Sequence, residues 1–262
     1  MDLGLHGQVA LVVAASRGLG KAAALAMARE GARLALLARS DQIRVTADEI
    51  RKETGADVLA IQGDVLQAAD IERAVRETLE TFGQIDILIA NSGGPRPGEF
   101  LDLAPSDWEA AFQLTLMSAV RLCYAVIPHM LERGSGTIVA SEAYLVKEPA
   151  QRLMLSNSLR LAVIGMMKTL ANELGPSGIR VNTINPGWTW TDRVQHLMAD
   201  RAQANATSVD AEAKKITDTI PLGRMGTVEE YGKTIAWLAS PAASYIHGHA
   251  LVFDGGIVKT AL

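Results

Sequence analysis

Cysteine is nearly absent from this sequence. Its 262 residues include one, Cys123. A single cysteine excludes an intrachain disulfide and a metal centre built from several thiolates. We therefore predict no bound metal. The chain is long enough to bury a sizeable core within one large domain.

An excess of positive charge is also missing. Lys and Arg number 25 against 29 Asp and Glu, so the net charge is −4. This balance argues against a nucleic-acid surface or a polybasic membrane contact. The opening residues, MDLGLHGQ, lack the basic and apolar segments of a signal peptide. No apolar run approaches the ~20 residues that span a bilayer. We expect a cytoplasmic protein with neither nucleic acid nor membrane as partner.

Strand and helix patterns alternate along the whole chain. Short apolar runs predict strands over 9–13, 33–38, 58–62, 85–90, 137–141, 179–184 and 250–253. Amphipathic or apolar segments between them predict helices over 21–30, 42–54, 68–82, 106–133, 155–174, 192–204, 209–219 and 228–239. This alternation predicts the α/β class: a single domain, 1–262, with a doubly wound parallel sheet of about seven strands and helices on both faces.

The stretch 8–31 combines a buried strand, a turn of small residues and a helix. The helix N-terminus offers unpaired N–H groups and a partial positive charge, and Gly18 and Gly20 let a pyrophosphate approach the backbone. Taken alone, the stretch leaves open a purely structural strand-to-helix turn, since glycine also closes such turns.

Seven short motifs follow one another in a familiar order. They are Gly18-Leu19-Gly20, Asp64-Val65, Asn91-Ser92-Gly93-Gly94, Gly136-Thr137-Ile138-Val139, Ile179-Arg180-Val181-Asn182, Pro186-Gly187 with Thr191, and Asp254-Gly255-Gly256. Over essentially its whole length the chain resembles the short-chain dehydrogenase/reductase family, particularly members described as 3-oxoacyl-carrier-protein reductases. The resemblance implies a Rossmann-type sheet and a nicotinamide dinucleotide cofactor.

The resemblance also assigns cofactor contacts. Asp64 would contact the adenine amine, Asn91 would lie beside the adenosine ribose, and Thr191 would hold the nicotinamide amide; Asp64 could instead be an ordinary loop acid. The family begins the first turn with Thr-Gly, whereas this chain has Val13-Ala14, whose methyl crowds a tight turn. The predicted cofactor-binding residues are Ser16, Arg17, Gly18, Leu19, Gly20, Arg39, Asp64, Val65, Asn91, Ser92, Gly93, Arg160, Pro186, Gly187, Thr189 and Thr191.

The end of the second strand indicates which dinucleotide is bound. An acid there would accept from the 2′-hydroxyl of NAD, but the position is Ala38, followed by Arg39. Arg17 lies just before the middle glycine of the first turn. Two guanidiniums beside the expected 2′-phosphate favour NADP(H) over NAD(H), because arginine grips phosphate bidentately. The alternative is two solvated surface arginines.

The catalytic half departs from the family, which uses Asn, Ser, Tyr and Lys. The corresponding positions are Thr115, Ala143, Ser156 and Arg160. A serine hydroxyl is a far weaker acid than a phenol, so Ser156 would hydrogen-bond a carbonyl or relay a proton from water. Arg160 keeps a positive charge but does not release a proton near neutrality. Four residues apart on a helix, the two would act as a pair.

Other side chains near the fifth strand are possible substitutes. Ser141 lies two residues before Ala143, on the same side of an extended strand. Glu142, Tyr144 and Lys147 are titratable and close to the strand end. For Tyr144 we favour a cover for apolar surface over a catalytic role, and for Lys147 a solvated charge. The predicted catalytic residues are Ser156, Arg160, Thr115 and Ser141.

The segment 188–226 lies where the family places its substrate lid. Trp188, Trp190, Leu197 and Met198 would form an apolar wall for a bulky or acyl substrate, or equally fill a core or a subunit contact.

Two functions remain open. One is an NADP(H)-dependent oxidoreductase acting on a carbonyl or secondary alcohol, with a 3-oxoacyl-like compound as one option. The other is a catalytically impaired NADP(H)-binding protein with a sensor or structural role. The helices at 106–133 and 155–174 are apolar over more than one face, which predicts a homo-oligomer; the resemblance implies a tetramer, with a dimer as the other option.

Overall fold

A seven-stranded parallel sheet forms the centre of the computed structural model, which describes residues 2–260. The spatial order of the strands is β3-β2-β1-β4-β5-β6-β7. The strands are β1 (Val9–Val13), β2 (Arg33–Ala38), β3 (Val58–Gln62), β4 (Ile87–Ala90), β5 (Gly136–Ser141), β6 (Ile179–Pro186) and β7 (Ala250–Phe253). Since the chain returns to the middle of the sheet after β3, the order reverses between β1 and β4, as the predicted doubly wound topology requires.

Nine α-helices connect and cover the described strands. They are α1 (Gly18–Arg29), α2 (Gln42–Thr54), α3 (Ala68–Phe82), α4 (Pro105–Ala111), α5 (Ser118–Arg133), α6 (Met154–Leu174), α7 (Asp192–Asn205), α8 (Val209–Thr217) and α9 (Val228–Ala239). A π-helical segment, Phe112–Met117, joins α4 to α5 without a break. The predicted α/β fold is therefore confirmed.

Two apolar layers hold the helices on the sheet. Side chains alternate between the faces of each strand, so Ala10 and Val12 of β1 pack with α1, α2 and α9. Leu11 and Val13 pack with α3, α5 and α6 on the other face. All five residues of β1 are buried, which is why this strand reads as a continuous apolar run rather than an alternating one.

The predicted boundaries differ from the structure at a few places. The predicted helix 106–133 contains the π-helical segment, whose apolar residues keep a helix-like period and so cannot be distinguished from an α-helix by pattern. The predicted strand 179–184 continues to Pro186, because Asn185 and Pro186 pair with Val252 and Phe253 of β7. That pairing carries the strand two residues further towards the site.

One helix of the described chain is long and apolar enough to span a membrane by length and composition alone. It is the continuous helix Pro105–Arg133, which has 29 residues. Its apolar residues Leu122, Val126 and Met130 are buried in the layer that covers the sheet. The apolar character therefore comes from a helix that packs on the sheet along one face.

The turn after β1 is strained at one residue. Ala14 has a φ of 54°, in the left-handed region where a side chain crowds the backbone. Gly20 lies so near that an added Cβ would collide with the Ala14 carbonyl oxygen. The predicted crowding at Ala14 is thus a backbone strain, in a turn that leaves Gly20 no room for a side chain.

Replacing Ala14 with glycine should stabilise the protein. Glycine adopts a positive φ without steric cost, so we expect the free energy of unfolding to rise by about 1 kcal/mol for Ala14→Gly. Urea unfolding provides the measurement. In Ala199→Gly, in the exposed middle of α7, the same exchange should instead cost about 0.5–1 kcal/mol. An equal loss of unfolding free energy in both variants would show that the backbone at Ala14 is not strained.

Candidate functional site

The candidate site lies at the carboxyl ends of β1, β4, β5 and β6. The reversal of strand order between β1 and β4 separates the connections that leave these two strands, and so opens a crevice between them. Each loop that leaves a strand here carries residues predicted from sequence.

The first turn meets the requirements of a pyrophosphate cradle. Arg17 is the N-cap of α1 in an extended conformation, and no side chain among residues 2–260 accepts from the first N–H groups of this helix. These donors therefore remain available to an anion at the positive end of the helix dipole. The Thr46 hydroxyl of α2 donates to the Ser16 carbonyl oxygen at 2.8 Å and fixes the turn. Gly18, with a φ of 57°, and Leu19 complete it.

Arg17 and Arg39 are both exposed at this edge. Within residues 2–260 neither guanidinium makes an ion pair or a hydrogen bond, whereas nearby Asp41 is paired with Arg44 at 2.8 Å. Ala38, at the end of β2, is buried and brings no acid. The pocket edge is therefore electropositive where a 2′-phosphate is expected.

The ends of β3 and β4 place further predicted residues at the crevice. Asp64 and Asn91 are half-buried at the two strand ends, together with Val65 and Ser92. The Asp64 Oδ1 accepts from the Leu66 N–H at 3.0 Å, so this carboxylate does act as a loop acid. Its Oδ2 accepts no hydrogen bond from any described residue, which leaves one oxygen for an adenine amine.

The loop after β6 has roles that the sequence reasoning missed. The Thr191 hydroxyl caps α7 by accepting from the Val194 N–H at 3.3 Å. Thr189 is buried and donates to the Gly187 carbonyl oxygen at 3.3 Å, just beyond Pro186. A threonine directly before an amphipathic segment is an N-cap signal that could have been read from sequence.

Ser156 and Arg160 form a buried pair on α6. The Arg160 Nε donates to the Ser156 Oγ at 3.1 Å, and both residues are 7% exposed. The predicted i, i+4 pairing is therefore present. Because the Ser156 oxygen accepts this bond, and its hydroxyl donates to no described residue, the O–H hydrogen can point to a substrate oxygen.

Glu142 is the ion-pair partner of Arg160. The Arg160 Nη1 donates to the Glu142 Oε2 at 3.0 Å, and the two side chains are 9% and 5% exposed. Nη1 also reaches the Ser141 carbonyl oxygen at 3.4 Å, and Nη2 reaches the Gly93 carbonyl oxygen at 3.5 Å. The guanidinium thus joins α6 to β5 and to the loop after β4.

Burial dominates the protonation of Glu142. Removal from water raises the pKa of its carboxyl to about 7, although the charge and hydrogen bond of Arg160 act in the opposite direction. A carboxyl group with such a pKa changes charge near neutral pH. The sequence reasoning named Glu142 as titratable but did not pair it with Arg160, because the pairing depends on how α6 crosses β5.

Thr115 lies in the π-helical segment and is buried. Its Oγ1 has no hydrogen-bond partner among the described residues. A threonine in a regular helix commonly donates to the carbonyl four residues earlier. An unpartnered buried hydroxyl is unfavourable, so Thr115 has the chemistry to bind a polar group that enters the site.

The prediction for Ser141 needs correction. Its hydroxyl accepts from the Tyr231 phenol at 2.8 Å in a buried bond to α9. Ser141 alternates with Glu142 along the strand, so its side chain faces α9, whereas Glu142 faces α6. Ser141 contributes its backbone carbonyl to Arg160, not its hydroxyl. Tyr231, which the sequence reasoning missed, lies too far from it in sequence to leave a signal.

Tyr144 and Lys147 are not part of the buried pair. Tyr144 is half-buried in a short 3-10 turn, and burial raises the pKa of its phenol while the neighbouring Trp188 opposes that shift. Lys147 is exposed.

The segment 188–226 has a small core of its own. Met198, Ile216, Ile220 and Met225 are buried in it, and Trp188 and Leu197 pack against them. Met198 therefore fills this core and is not part of a substrate wall.

Trp190, in contrast, lines a cavity of about 680 Å³ together with Arg17, Gly18 and Thr191, on the side of the first turn. Arg193, which the sequence reasoning missed, reaches across to the loop after β4: a Cβ added at Gly94 would lie 2.8 Å from its Nη1.

Comparison with known proteins shows the family and the fold. The family described as "Enoyl-(Acyl carrier protein) reductase" matches residues 13–258. "Oxidoreductase UcpA" of Salmonella typhimurium is 35% identical over 255 residues, which cover 96% of this chain and 95% of the relative. A "3-oxoacyl-[acyl-carrier-protein] reductase" of Synechocystis is 35% identical over 260 residues, covering 97% and 98%. The chain belongs to the short-chain dehydrogenase/reductase family.

Solved structures extend the likeness. L-sorbose reductase from Gluconobacter frateurii, in complex with NADPH and L-sorbose, superimposes with a TM-score of 0.96 at 31% identity, covering 99% of this chain and 100% of that one. YwfH, an NADPH-dependent reductase involved in bacilysin biosynthesis, gives a TM-score of 0.91 at 29% identity, covering 97% and 99%. The chain is therefore an oxidoreductase of this family by sequence and by fold.

Glu142 should make stability depend on pH. Because its pKa is raised in the folded state, its contribution to stability is full below about pH 4.5 and is lost as the pH rises through about 7. Between pH 5 and 7 the wild type should lose up to about 1.4 kcal/mol per pH unit from this one group, and Glu142→Gln should lack that component. Urea unfolding at several pH values measures it.

The matched control is Glu148→Gln, a nearby acid whose Oε2 accepts from the Lys259 N–H in an exposed contact. This variant should keep the wild-type pH dependence. If plots of the free energy of unfolding against pH were parallel for the wild type and Glu142→Gln, Glu142 would not titrate in this range.

Proposed function

We propose that this protein is an NADP(H)-dependent oxidoreductase that interconverts a carbonyl compound and a secondary alcohol through Ser156 and Arg160. The observation that carries the proposal is the buried Ser156–Arg160 pair, a hydroxyl and a fixed positive charge at 3.1 Å, at the carboxyl edge of the sheet. These are the positions where the family carries its tyrosine and lysine. Buried polar groups with perturbed charge neighbours cluster at functional sites, which supports a use for this pair.

The choice of NADP(H) is supported by the electropositive edge of the crevice. Arg17 and Arg39 are exposed there without ion-pair partners among residues 2–260, and Ala38 brings no acid that would repel a 2′-phosphate. Of the two reductases of similar structure described above, one is in complex with NADPH and the other is NADPH-dependent. The uncapped first turn of α1 would hold the pyrophosphate.

The residues of the site divide the chemistry between them. When bound, the reduced cofactor supplies a hydride. Arg160 stabilises the negative charge that grows on the substrate oxygen and holds the cofactor ribose. Ser156 donates a hydrogen bond to the same oxygen and passes it a proton that comes ultimately from water. Reduction therefore breaks the carbonyl π bond, forms one C–H and one O–H bond, and consumes one proton.

A second function is a catalytically impaired NADP(H)-binding protein with a sensor or structural role. The observation that favours it is the absence of a phenol or ammonium at Ser156 and Arg160, together with the ion pair that engages Arg160. We prefer the oxidoreductase because the hydroxyl and the positive charge are retained together.

Substrate class, assembly and location belong to the same proposal. A 3-oxoacyl-like substrate is supported by the Synechocystis relative.

A homo-oligomer, either a tetramer or a dimer, is supported by exposed apolar residues on α5 and α6 that it would cover. Tyr124 is 79% exposed and Leu161 is 53% exposed. Since no polybasic patch occurs in the sequence, we propose a cytoplasmic protein with no nucleic-acid or membrane partner.

NADPH should bind more tightly than NADH. Charge-assisted bonds from Arg17 and Arg39 to a 2′-phosphate predict a difference of roughly tenfold or more, measured by calorimetric titration of both cofactors. Arg39→Asp should reverse the preference, because the carboxylate would repel the phosphate and accept from a ribose hydroxyl. Arg76→Asp, the same charge change on exposed α3, should leave it intact. Tighter binding of NADH by the wild type would refute the assignment.

Carbonyl reduction should depend on Ser156. With NADPH and a panel of ketones and 3-oxoacyl thioesters, followed by loss of cofactor absorbance, Ser156→Ala should slow turnover by roughly ten- to a hundredfold while cofactor affinity is unchanged. Ser158→Ala provides the control, because this exposed hydroxyl of the same helix bonds only the Met154 carbonyl oxygen. Arg160→Ala should abolish turnover and also weaken cofactor binding.

A restored family site separates the two functions. In the triple variant Ala143→Ser, Ser156→Tyr and Arg160→Lys, the usual phenol and ammonium return. An inert wild type combined with an active triple variant would establish the impaired binding protein. Turnover by the wild type that Ser156→Ala does not change would move the reaction to another group, of which Tyr144 is the first to replace.

A further inference from the structure

Three different nitrogens hold the Arg160 guanidinium in place. Nε donates to Ser156, Nη1 to Glu142 and Nη2 to the Gly93 carbonyl oxygen, at 3.1, 3.0 and 3.5 Å. A guanidinium is planar and rigid, so a contact at one nitrogen sets the direction of the others. The contact with Glu142 is the only one of the three made to an ionisable group. It therefore helps to set the direction in which Nε meets Ser156.

The protonation of Glu142 also sets the charge of the site. The side chains of Glu142 and Arg160 are 5% and 9% exposed, so little water screens them. With the carboxylate ionised, the pair carries no net charge. With the carboxyl protonated, the pair carries one full positive charge and Nη1 gains freedom to bind other acceptors.

We propose that Glu142 is a positioning residue that acts through Arg160: it aims the guanidinium at Ser156, and its uptake of a proton frees the charge of Arg160 for the substrate oxygen and the cofactor ribose. The proposal rests on the proposed function above and adds a carboxyl group to it. Glu142 does not itself hand a proton to the substrate. It sets how strongly its neighbour stabilises negative charge.

Arg160 is the charged group that faces the Glu142 carboxyl, and it therefore influences the protonation of this carboxyl. From α6 the group that faces it is Arg160, and from α9 Tyr231 lies within electrostatic reach of both. The phenol of Tyr231 stays neutral, because burial raises its pKa far above neutrality. Strand β4 brings no titratable side chain. Strand β6 brings one charged side chain, Arg180, near its opposite end. The charged or titratable residues of α5 are Arg121, the buried Cys123, Tyr124, His129, Glu132 and Arg133. None of these residues makes an ion pair or a hydrogen bond with the Glu142 side chain, whose partner among residues 2–260 is Arg160.

Reduction should accordingly slow as the pH rises through neutrality. An ionised Glu142 competes with the substrate oxygen for Arg160 and cancels its charge. We expect kcat/KM for ketone reduction by the wild type to fall by about tenfold between pH 6 and 8. Glu142→Gln, which keeps the shape but stays neutral, should give a profile that is flat over this range and near the acid-side value. Glu148→Gln should retain the wild-type profile.

Cofactor binding gives a readout that does not need turnover. If the ribose draws Arg160 away from the carboxylate, Glu142 loses its counter-charge and takes up a proton. Titration of NADPH into the protein at pH 7, in buffers of different ionisation enthalpy, should show proton uptake approaching about half a proton per site in the wild type, because a carboxyl group with a pKa of about 7 is already half protonated there, and close to zero in Glu142→Gln. Glu142→Asp, too short to reach Arg160 in the same way, should still take up a proton but with a shifted midpoint.

The outcomes separate this inference from the function on which it rests. NADPH binding with the same proton uptake in the wild type and in Glu142→Gln, or identical pH profiles for the two, would overturn the role of Glu142 alone. Absence of NADPH binding would overturn the proposed function, and the role of Glu142 with it. Binding with the expected uptake but no reduction of any ketone would uphold the linkage between Glu142 and Arg160 in a protein that does not reduce carbonyls. If Glu142→Gln fails to fold, the pH midpoint of proton uptake in Glu142→Asp is the test. A midpoint equal to that of the wild type would overturn the role of Glu142.

Discussion

Parallel pairing of the strands is the constraint on which the site depends. Because all seven strands run in one direction, the loops that leave β1, β4, β5 and β6 emerge at a single edge. The turn after β1, Asn91 in the loop after β4 and the buried pair on α6 meet there although they are far apart in sequence. The two apolar layers that cover the sheet hold this edge rigid, so side chains contributed by separate elements keep fixed distances.

The proposed site combines cofactor-binding motifs that match the family with catalytic positions that depart from it. Where relatives of the family place a phenol and an ammonium, this chain has Ser156 and Arg160, and it adds a buried carboxyl group in Glu142. The ion pair explains how an arginine is tolerated at a position so far from water, since an unpaired buried guanidinium would be costly. It also pairs Arg160 with a carboxyl group whose pKa burial raises to about 7.

Much of the fold follows from local pattern, and parts of the site do not. Buried strands read as apolar runs, and amphipathic helices read as 3.6-residue periods, which is why the predicted strand β1 and helix α9 have the observed boundaries. The π-helical segment could not be predicted, because the period of its apolar residues is close to that of an α-helix. The partner of the Ser141 hydroxyl could not be predicted, and the choice for Met198 between a substrate wall, a core and a subunit contact stayed open, because in each case the facing residues are not neighbours in sequence.

The sequence by itself determined the family, the order of strands and helices, the turn of small residues between β1 and α1, and the spacing of Ser156 and Arg160, because each depends on residues that are close together in the chain or on a motif in a known order. Only the tertiary structure decided that Glu142, and not Ser141, faces Arg160. That choice depends on which face of β5 meets α6, and therefore on the packing of two elements against one sheet rather than on any local pattern.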